Sequence, residues 1–279
     1  MDGELRKGWD YLREKFLGRA LQDPNWTSPS FWAKLTPHDL SGLYVDDTLG
    51  EGCKDKIKDV GKTLNRVNER AFLINDLGNH LTELNCKYIR ELFEQCDKTL
   101  GGSDGFLNAL KSFEAYSDPV RKKSLFFSSI AKSECKWNVK DQENLASPVD
   151  YHELRGHLRI GTLIINDSEL SARVQSGLAI TEKEDTELRQ QAQKVNDRIG
   201  KETGCGSSAI HYLFWYVFRN CCPRASAQTH CLNCGDGCEL LQVYKQMPTY
   251  HDRCVFSEVC NSANKPDKVI DPAYIGHFY

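Results

Sequence analysis

The chain has 279 residues, 27% of them charged and 40% hydrophobic, with a formal net charge of −3. This ordinary globular composition leaves room for one large domain or two intimate lobes; no run of about eighteen apolar residues is there to span a membrane, and the N-terminal segment is too charged for a signal peptide, so a cytoplasmic protein is expected. The negative total excludes a uniformly basic coat for nucleic acid, so any such contact has to come from local charge.

In chain order, a first helix is expected over residues 4–17, then a turn-rich passage around Pro24, Trp26 and Pro29. Thr36-Pro37-His38-Asp39 reads as a helix start: Thr36 can cap, Pro37 suits the first helical position and Asp39 can return a bond. That helix should be short, because Gly42 and a turn over 46–50 follow. Leu64, Val67, Ala71, Ile74, Leu77, Leu81, Leu84 and Tyr88 recur at helical spacing and predict a long amphipathic helix, divided near Gly78. After Gly101-Gly102, Ser103 or Asp104 should start a helix carrying Phe106, Leu107, Leu110 and Phe113. Ser117-Asp118-Pro119 is a turn into a helix over 120–130, and residues 133–146 read as a polar loop anchored by Trp137.

Residues 162–165 suit a short strand or an apolar loop. Thr181 and Glu184 form a capping box for a helix lined by Leu188, Ala192, Val195 and Ile199 and closed by Gly200 and Gly204. Residues 207–220 are apolar on nearly every side and should be the central buried helix, and the aromatic ending over 274–279 should pack back on the body. Nearly every strong signal has helical period, so the fold class is all-α. A helical body over 1–220 is expected, with a hairpin-like region at about 104–161 and a cysteine-rich tail over 221–279.

The chemistry centres on Ser147-Pro148-Val149-Asp150-Tyr151-His152-Glu153-Leu154-Arg155, running on to Arg159-Ile160-Gly161. Ser147 can cap this helix and Pro148 can sit first, which leaves Asp150 among free amides at the positive end of the helix dipole. A cap explains the pattern without any function. The same geometry also keeps a carboxylate ionised, ready to stabilise an oxocarbenium-like sugar or orient a nucleophile. Just upstream, Arg121, Lys122, Lys123, Lys132, Lys136 and Lys140 stand against Glu134 alone over 119–140, a local charge of +5 that reads either as a solvated face or as a nucleic-acid contact.

This stretch resembles the Pro-Val-Asp-Thr-His-Val-x-Arg-x-x-x-Arg-Leu-Gly segment of helix-hairpin-helix DNA glycosylases of the endonuclease III and 8-oxoguanine glycosylase type. Asp150, His152, Arg155 and Arg159-Ile160-Gly161 match or nearly match, while Tyr151 stands where threonine is usual. The resemblance implies a two-lobed helical fold, Asp150 as the essential carboxylate, and release of a damaged or modified base flipped out of DNA. Members that also cleave the strand carry a lysine nucleophile, and here Lys123 aligns best, with Ser124 in place of threonine and Lys122 as the adjacent alternative. Such an amine needs a lowered pKa, from burial or from neighbours such as Lys122 and Arg121. On the glycosylase reading the basic run would bring Arg121, Lys132, Lys136 and Lys140 to DNA together with His152 and Arg155, and the base pocket would draw on Trp137, Tyr151, Trp215 or Tyr216; a monomer without membrane contact is expected. The family's hairpin reads roughly Leu-Pro-Gly-Val-Gly, whereas this chain has Tyr116-Ser117-Asp118-Pro119-Val120 and no glycine, and 27 residues separate Lys123 from Asp150.

Seven of the twelve cysteines fall between Cys221 and Cys260; Cys53, Cys86, Cys96, Cys135 and Cys205 are scattered and read as small buried hydrophobes. Cys222, Cys231, Cys234 and Cys238 have ligand spacing, with Cys221, Cys254, Cys260, His230 and His251 as substitutes. Four thiolates suit a structural zinc or a [4Fe–4S] cluster. The resemblance favours the cluster, since endonuclease III-like enzymes carry theirs after the last apolar helix. Other classes stay open: a non-enzymatic metal-stapled module that binds nucleic acid, a glycosidase acting on a modified nucleoside or RNA, and an interaction protein in which Asp150 is only a cap. A bulky modified base in foreign DNA as substrate would make the chain a defence factor against phage.

Overall fold

The computed structural model describes residues 8–43, 66–222 and 253–263, and beyond them 265, 269, 272–274 and 276–278. The expected turn at 46–50, together with Leu64, Cys53, Cys231, Cys234, Cys238, His230 and His251, lies outside the described residues. The fold is all-α. The one β feature among the described residues is an isolated parallel bridge between Ala179 and Ala273, and residues 162–165 form a loop rather than a strand. No helix among them is long and apolar enough to cross a membrane. The chain divides into two compact units, Met1–Ser117 and Asp118–Tyr279.

The first unit holds α1 (Gly8–Gln22), α2 (Pro29–Trp32), α3 (Pro37–Leu43), α4 (Val67–Glu83), α5 (Ile89–Gln95) and α6 (Phe106–Ala109). Trp26 is its anchor, buried with Leu35, Leu40 and Ala71 and packed against Phe16 and Phe31 at ring distances of 5.5 and 5.1 Å. Thr36 and Asp39 exchange bonds at the start of α3, as their spacing predicts. Gly78 does not divide α4, which runs straight through it. A Cβ there would lie 2.4 Å from the Ala33 nitrogen, so this glycine serves the close approach of α2 rather than a break. The division falls later, at Asn85, whose φ of 53° is left-handed. The helix after Gly101-Gly102 is capped by Gly105, not by Ser103 or Asp104, and passes into a 3-10 turn after one turn of α-helix.

The second unit holds α7 (Lys122–Ser133), α8 (Tyr151–Ile160), α9 (Ser168–Gln175), α10 (Glu182–Thr203) and α11 (Ser207–Cys221). α8, α10 and α11 pack on one another. Thr181 and Glu184 close the expected capping box, and the helix they start runs through Gly200 to a left-handed Gly204. Gly200 is interior because the chain returns against it: a Cβ would meet Gly206 and Ser207 backbone at 2.7 Å. α11 is not buried on every side. Ile210, His211, Phe214, Val217 and Phe218 face inward, while Leu213 and Tyr216 are 47% and 40% exposed. The aromatic ending does pack back, with Phe278 buried and the Ala273 carbonyl accepting from the Ile180 amide at 3.2 Å.

Contact between α8 and α11 depends on Gly156, where a Cβ would stand 2.0 Å from Phe218 Cδ2. Gly156→Ala should therefore destabilise the protein by about 1–3 kcal/mol, the usual cost of forcing an extra methyl into a packed interior, measured by urea denaturation.

Candidate functional site

The site forms where the start of α7, the start of α8 and the middle of α11 are held by α10. Arg189 on α10 is wholly buried and makes a fork to Asp118, Nη1 to Oδ2 at 2.8 Å and Nη2 to Oδ1 at 2.9 Å, while its Nε reaches Asp185 Oδ2 at 2.8 Å. Four residues along the same face, Gln193 Nε2 donates to the Val120 and Ser147 carbonyls at 3.1 and 2.7 Å. One helix therefore fixes the approach to α7 and the approach to α8 together. Lys122 and Asp150, distant in sequence, come within electrostatic reach of each other.

The turn before α7 is built without a glycine. Arg121 takes the left-handed conformation, φ 59°, that a glycine adopts freely. Asp118 accepts from the Val120 and Lys122 amides at 3.1 and 2.9 Å. These are amides a glycine-rich hairpin would offer to a phosphate, and here the chain's own carboxylate occupies them. Arg121→Gly should raise stability by about 1 kcal/mol by relieving the left-handed backbone, read as a shift of the urea midpoint at constant slope.

Asp150 itself is the N-cap of α8, not an interior residue of a helix capped by Ser147. Its Oδ1 accepts from the His152 and Glu153 amides at 2.9 and 3.1 Å, and its Oδ2 accepts from Trp215 Nε1 at 3.0 Å. Ser147 is turned instead to the start of α11, bonding the Ser207 carbonyl at 2.9 Å. The two lysines differ sharply. Lys123 donates its ammonium to the His277 carbonyl. Lys122 is half-buried over the Phe126 ring, at 5.8 Å; burial lowers its pKa, the carboxylates of Asp150 and Asp118 oppose that, and Arg189 adds to it.

Behind Asp150 lies a buried polar cluster that the sequence reading missed. Glu153 is fully buried; its Oε1 accepts from Asn196 Nδ2 at 2.6 Å and its Oε2 meets His211 Nδ1 at 2.5 Å. Burial pushes its carboxyl up, against the pull of His211. His157, one turn along, bonds Thr162 Oγ1 at 2.8 Å, and its Nε2 is 4.0 Å from Glu153 Oε1. Burial lowers its pKa to about 4. The helical spacing of Glu153 and His157, and of Asp185 and Arg189, was the available signal.

The structure separates the other expected contacts. Arg155 is buried and spends its donors on the end of α11, reaching the Cys222 carbonyl at 2.8 Å and the Phe218 carbonyl at 3.1 Å, with His152 Nδ1 at 2.9 Å. That is helix capping, not an exposed phosphate contact. Lys136 and Lys140 are exposed and Arg121 and Lys132 half-buried. Trp137 packs edge-on against Phe127 at 5.7 Å, Tyr151 lies beside His152 at 4.1 Å, and Tyr216 points outward. Trp215 bonds Asp150, and it does so through its N–H.

No protein-family model and no curated protein matches this chain. For the tail, Cys222 is the one described member of the expected ligand set. Arg159 Nη1 donates to its sulfur at 3.1 Å, and Cys222, Cys254 and Cys260 pack against the same apolar cluster. Among the described residues no group of three or more His, Cys, Asp or Glu side chains is arranged to hold a metal.

Proposed function

We propose that this chain is an N-glycosylase that releases a flipped-out, damaged or modified base from DNA, with Asp150 as the essential carboxylate and Lys122, in place of Lys123, as the amine nucleophile. The observation that carries the reading is a buried carboxylate, Asp150, held at the start of α8 by two amides and the Trp215 indole, with Lys122 at the start of α7 close enough to feel its charge. Asp150, fixed by two amides and an indole N–H, suits stabilisation of positive charge developing on the sugar. Burial favours the neutral form of Lys122, whose lone pair would form the bond to the anomeric carbon as the glycosidic C–N bond breaks. The base departs with that electron pair and takes up a proton. Opening of the sugar then yields a Schiff base.

The metal belongs to the proposal as a staple for the tail: a [4Fe–4S] cluster, or zinc, bound by Cys222 with thiols from the same segment. It would supply folding energy rather than a reaction step. A second reading is a helical module that contacts nucleic acid through the exposed Lys136 and Lys140, with Asp150 as a cap only.

Mass-spectrometric detection of bases released from genomic and modified phage DNAs tests the first reading. Wild type should release a base, and Asp150→Asn should lower the rate at least about a hundredfold, a scale typical of losing one preorganised electrostatic group. Borohydride should trap an adduct with wild type and Lys123→Ala but not with Lys122→Ala. No release from any DNA by folded wild type, with DNA binding lost in Lys136→Glu, would move the assignment to the second reading.

A further inference from the structure

Trp215 belongs to the second unit's longest run of aromatics, where a stacking wall for a base is the obvious assignment. The bond it makes points elsewhere. Asp150 has Oδ1 tied to two amides of its own helix, and these leave rotation about the carboxylate restrained by one side only. The remaining restraint comes from a different helix, through Trp215 Nε1 to Oδ2 at 3.0 Å. The indole is itself held: the Arg219 guanidinium sits 4.8 Å over its ring, one turn along α11. One turn earlier on α11, His211 bonds Glu153, which is three residues beyond Asp150. Two rungs, Asp150–Trp215 and Glu153–His211, thus join the first turn of α8 to α11, and Arg155 adds bonds to the Phe218 and Cys222 carbonyls.

We propose that Trp215 is a positioning residue for Asp150, acting through its indole N–H and not through stacking of its ring on a base. The consequence for activity rests on the glycosylase reading; the bond itself does not. Asp150 is 6% exposed, so the direction of its free lone pair is set by the donors around it. With Trp215 in place one lone pair of Oδ2 is used, and the other is aimed. A neutral N–H does this without pairing off the charge, which an arginine or lysine in that position would do. Lys122, Asp118, Glu153, Arg155, Arg189 and Arg219 stand on the surrounding elements, yet among the described residues it is the neutral Trp215 Nε1 that bonds Oδ2.

The test begins with a spectrum that needs no substrate. In protein labelled at the indole nitrogens, the resonance missing from Trp215→Phe identifies the Nε1 proton. That proton should exchange slowly with water in wild type and move in Asp150→Asn, a variant that retains a capping oxygen. A Trp215 resonance indifferent to Asp150→Asn would overturn the proposal. The second arm is single-turnover base release. Trp215→Phe should slow the step about ten- to a hundredfold, the scale of one hydrogen bond to a charged group, with DNA affinity unchanged, and Trp215→His should recover part of the rate by restoring a ring N–H. Weaker binding of the substrate base at an unchanged rate would make Trp215 a stacking wall and overturn the positioning role. If wild type releases no base from any DNA, the glycosylase reading falls, while the spectrum still decides whether Trp215 holds Asp150.

Discussion

Replacing Arg189 by methionine should cost about 3–5 kcal/mol of unfolding free energy, the range seen when one partner of a buried ion pair is removed. Arg189 has no exposed surface, and its fork to Asp118 and bond to Asp185 put one cation between two buried carboxylates. Methionine fills much of the volume but leaves both carboxylates in a low-dielectric interior, where protonation or water entry is the only relief. The Val120 and Lys122 amides would still hold Asp118, which keeps the loss from being larger. Arg189→Lys should fall between, since an ammonium supplies charge without the planar fork. Arg90→Ala, which removes the exposed 3.2 Å pair with Glu94, should cost under about 1 kcal/mol and serves as the control. A loss for Arg189→Met as small as that control would mean that the triad is wet. The same variant should raise the Lys122 pKa, because the Asp118 carboxylate would then act on it without its guanidinium partner.

Helical period made the fold class readable, because an apolar stripe at three and four reports burial on one side whatever lies opposite. Caps of the reciprocal kind were readable too: Thr36 with Asp39 and Thr181 with Glu184 stand where their spacing puts them. Glycines misled. Gly78 and Gly200 look like breaks in a one-dimensional reading, yet both lie inside helices because another backbone passes against them: for Gly78 that of Pro29 to Ala33, far away in sequence, and for Gly200 the chain's own return at Gly206 and Ser207. The site shows the same divide. Asp150 could be found as a carboxylate at a helix start, since capping is local. That Lys122 feels its charge while Lys123 bonds the His277 carbonyl could not, because those placements depend on the tail and on the clamp of Arg189 and Gln193, all long-range. Arg155 misled for a related reason: arginine in a basic, polar stretch looks like a phosphate ligand until the carbonyls at the end of α11 are seen to claim it.

Acid should weaken this protein through the buried imidazole of His157, before the carboxylates of Glu184 and Asp39, whose pKa values are lowered, begin to protonate. His157 is fully buried, and its pKa falls from 6.5 to about 4 because burial disfavours the charged ring. Between those values the unfolded chain binds a proton that the folded one refuses, so stability rises with pH and is lost as pH falls, by about 3 kcal/mol over the whole window. Glu153 works the other way: its raised pKa means that the folded state takes up a proton more readily, which returns some stability at the acid end. Comparison with His157→Gln separates the two. That variant keeps a polar group near Thr162 and Asn196 but cannot titrate, so it should be less stable at pH 7 and show a flatter decline in urea denaturation from pH 6.5 to 4. Parallel declines in the two proteins would assign the acid sensitivity elsewhere. The position of His157 ties the result to the proposed site. It sits on α8 against Phe214 and Phe218, at ring distances of 5.0 and 5.8 Å, and α8 is the helix that Asp150 caps. Protonating His157 would loosen the packing of α8 on α11, and with it the bond from Trp215 to Asp150.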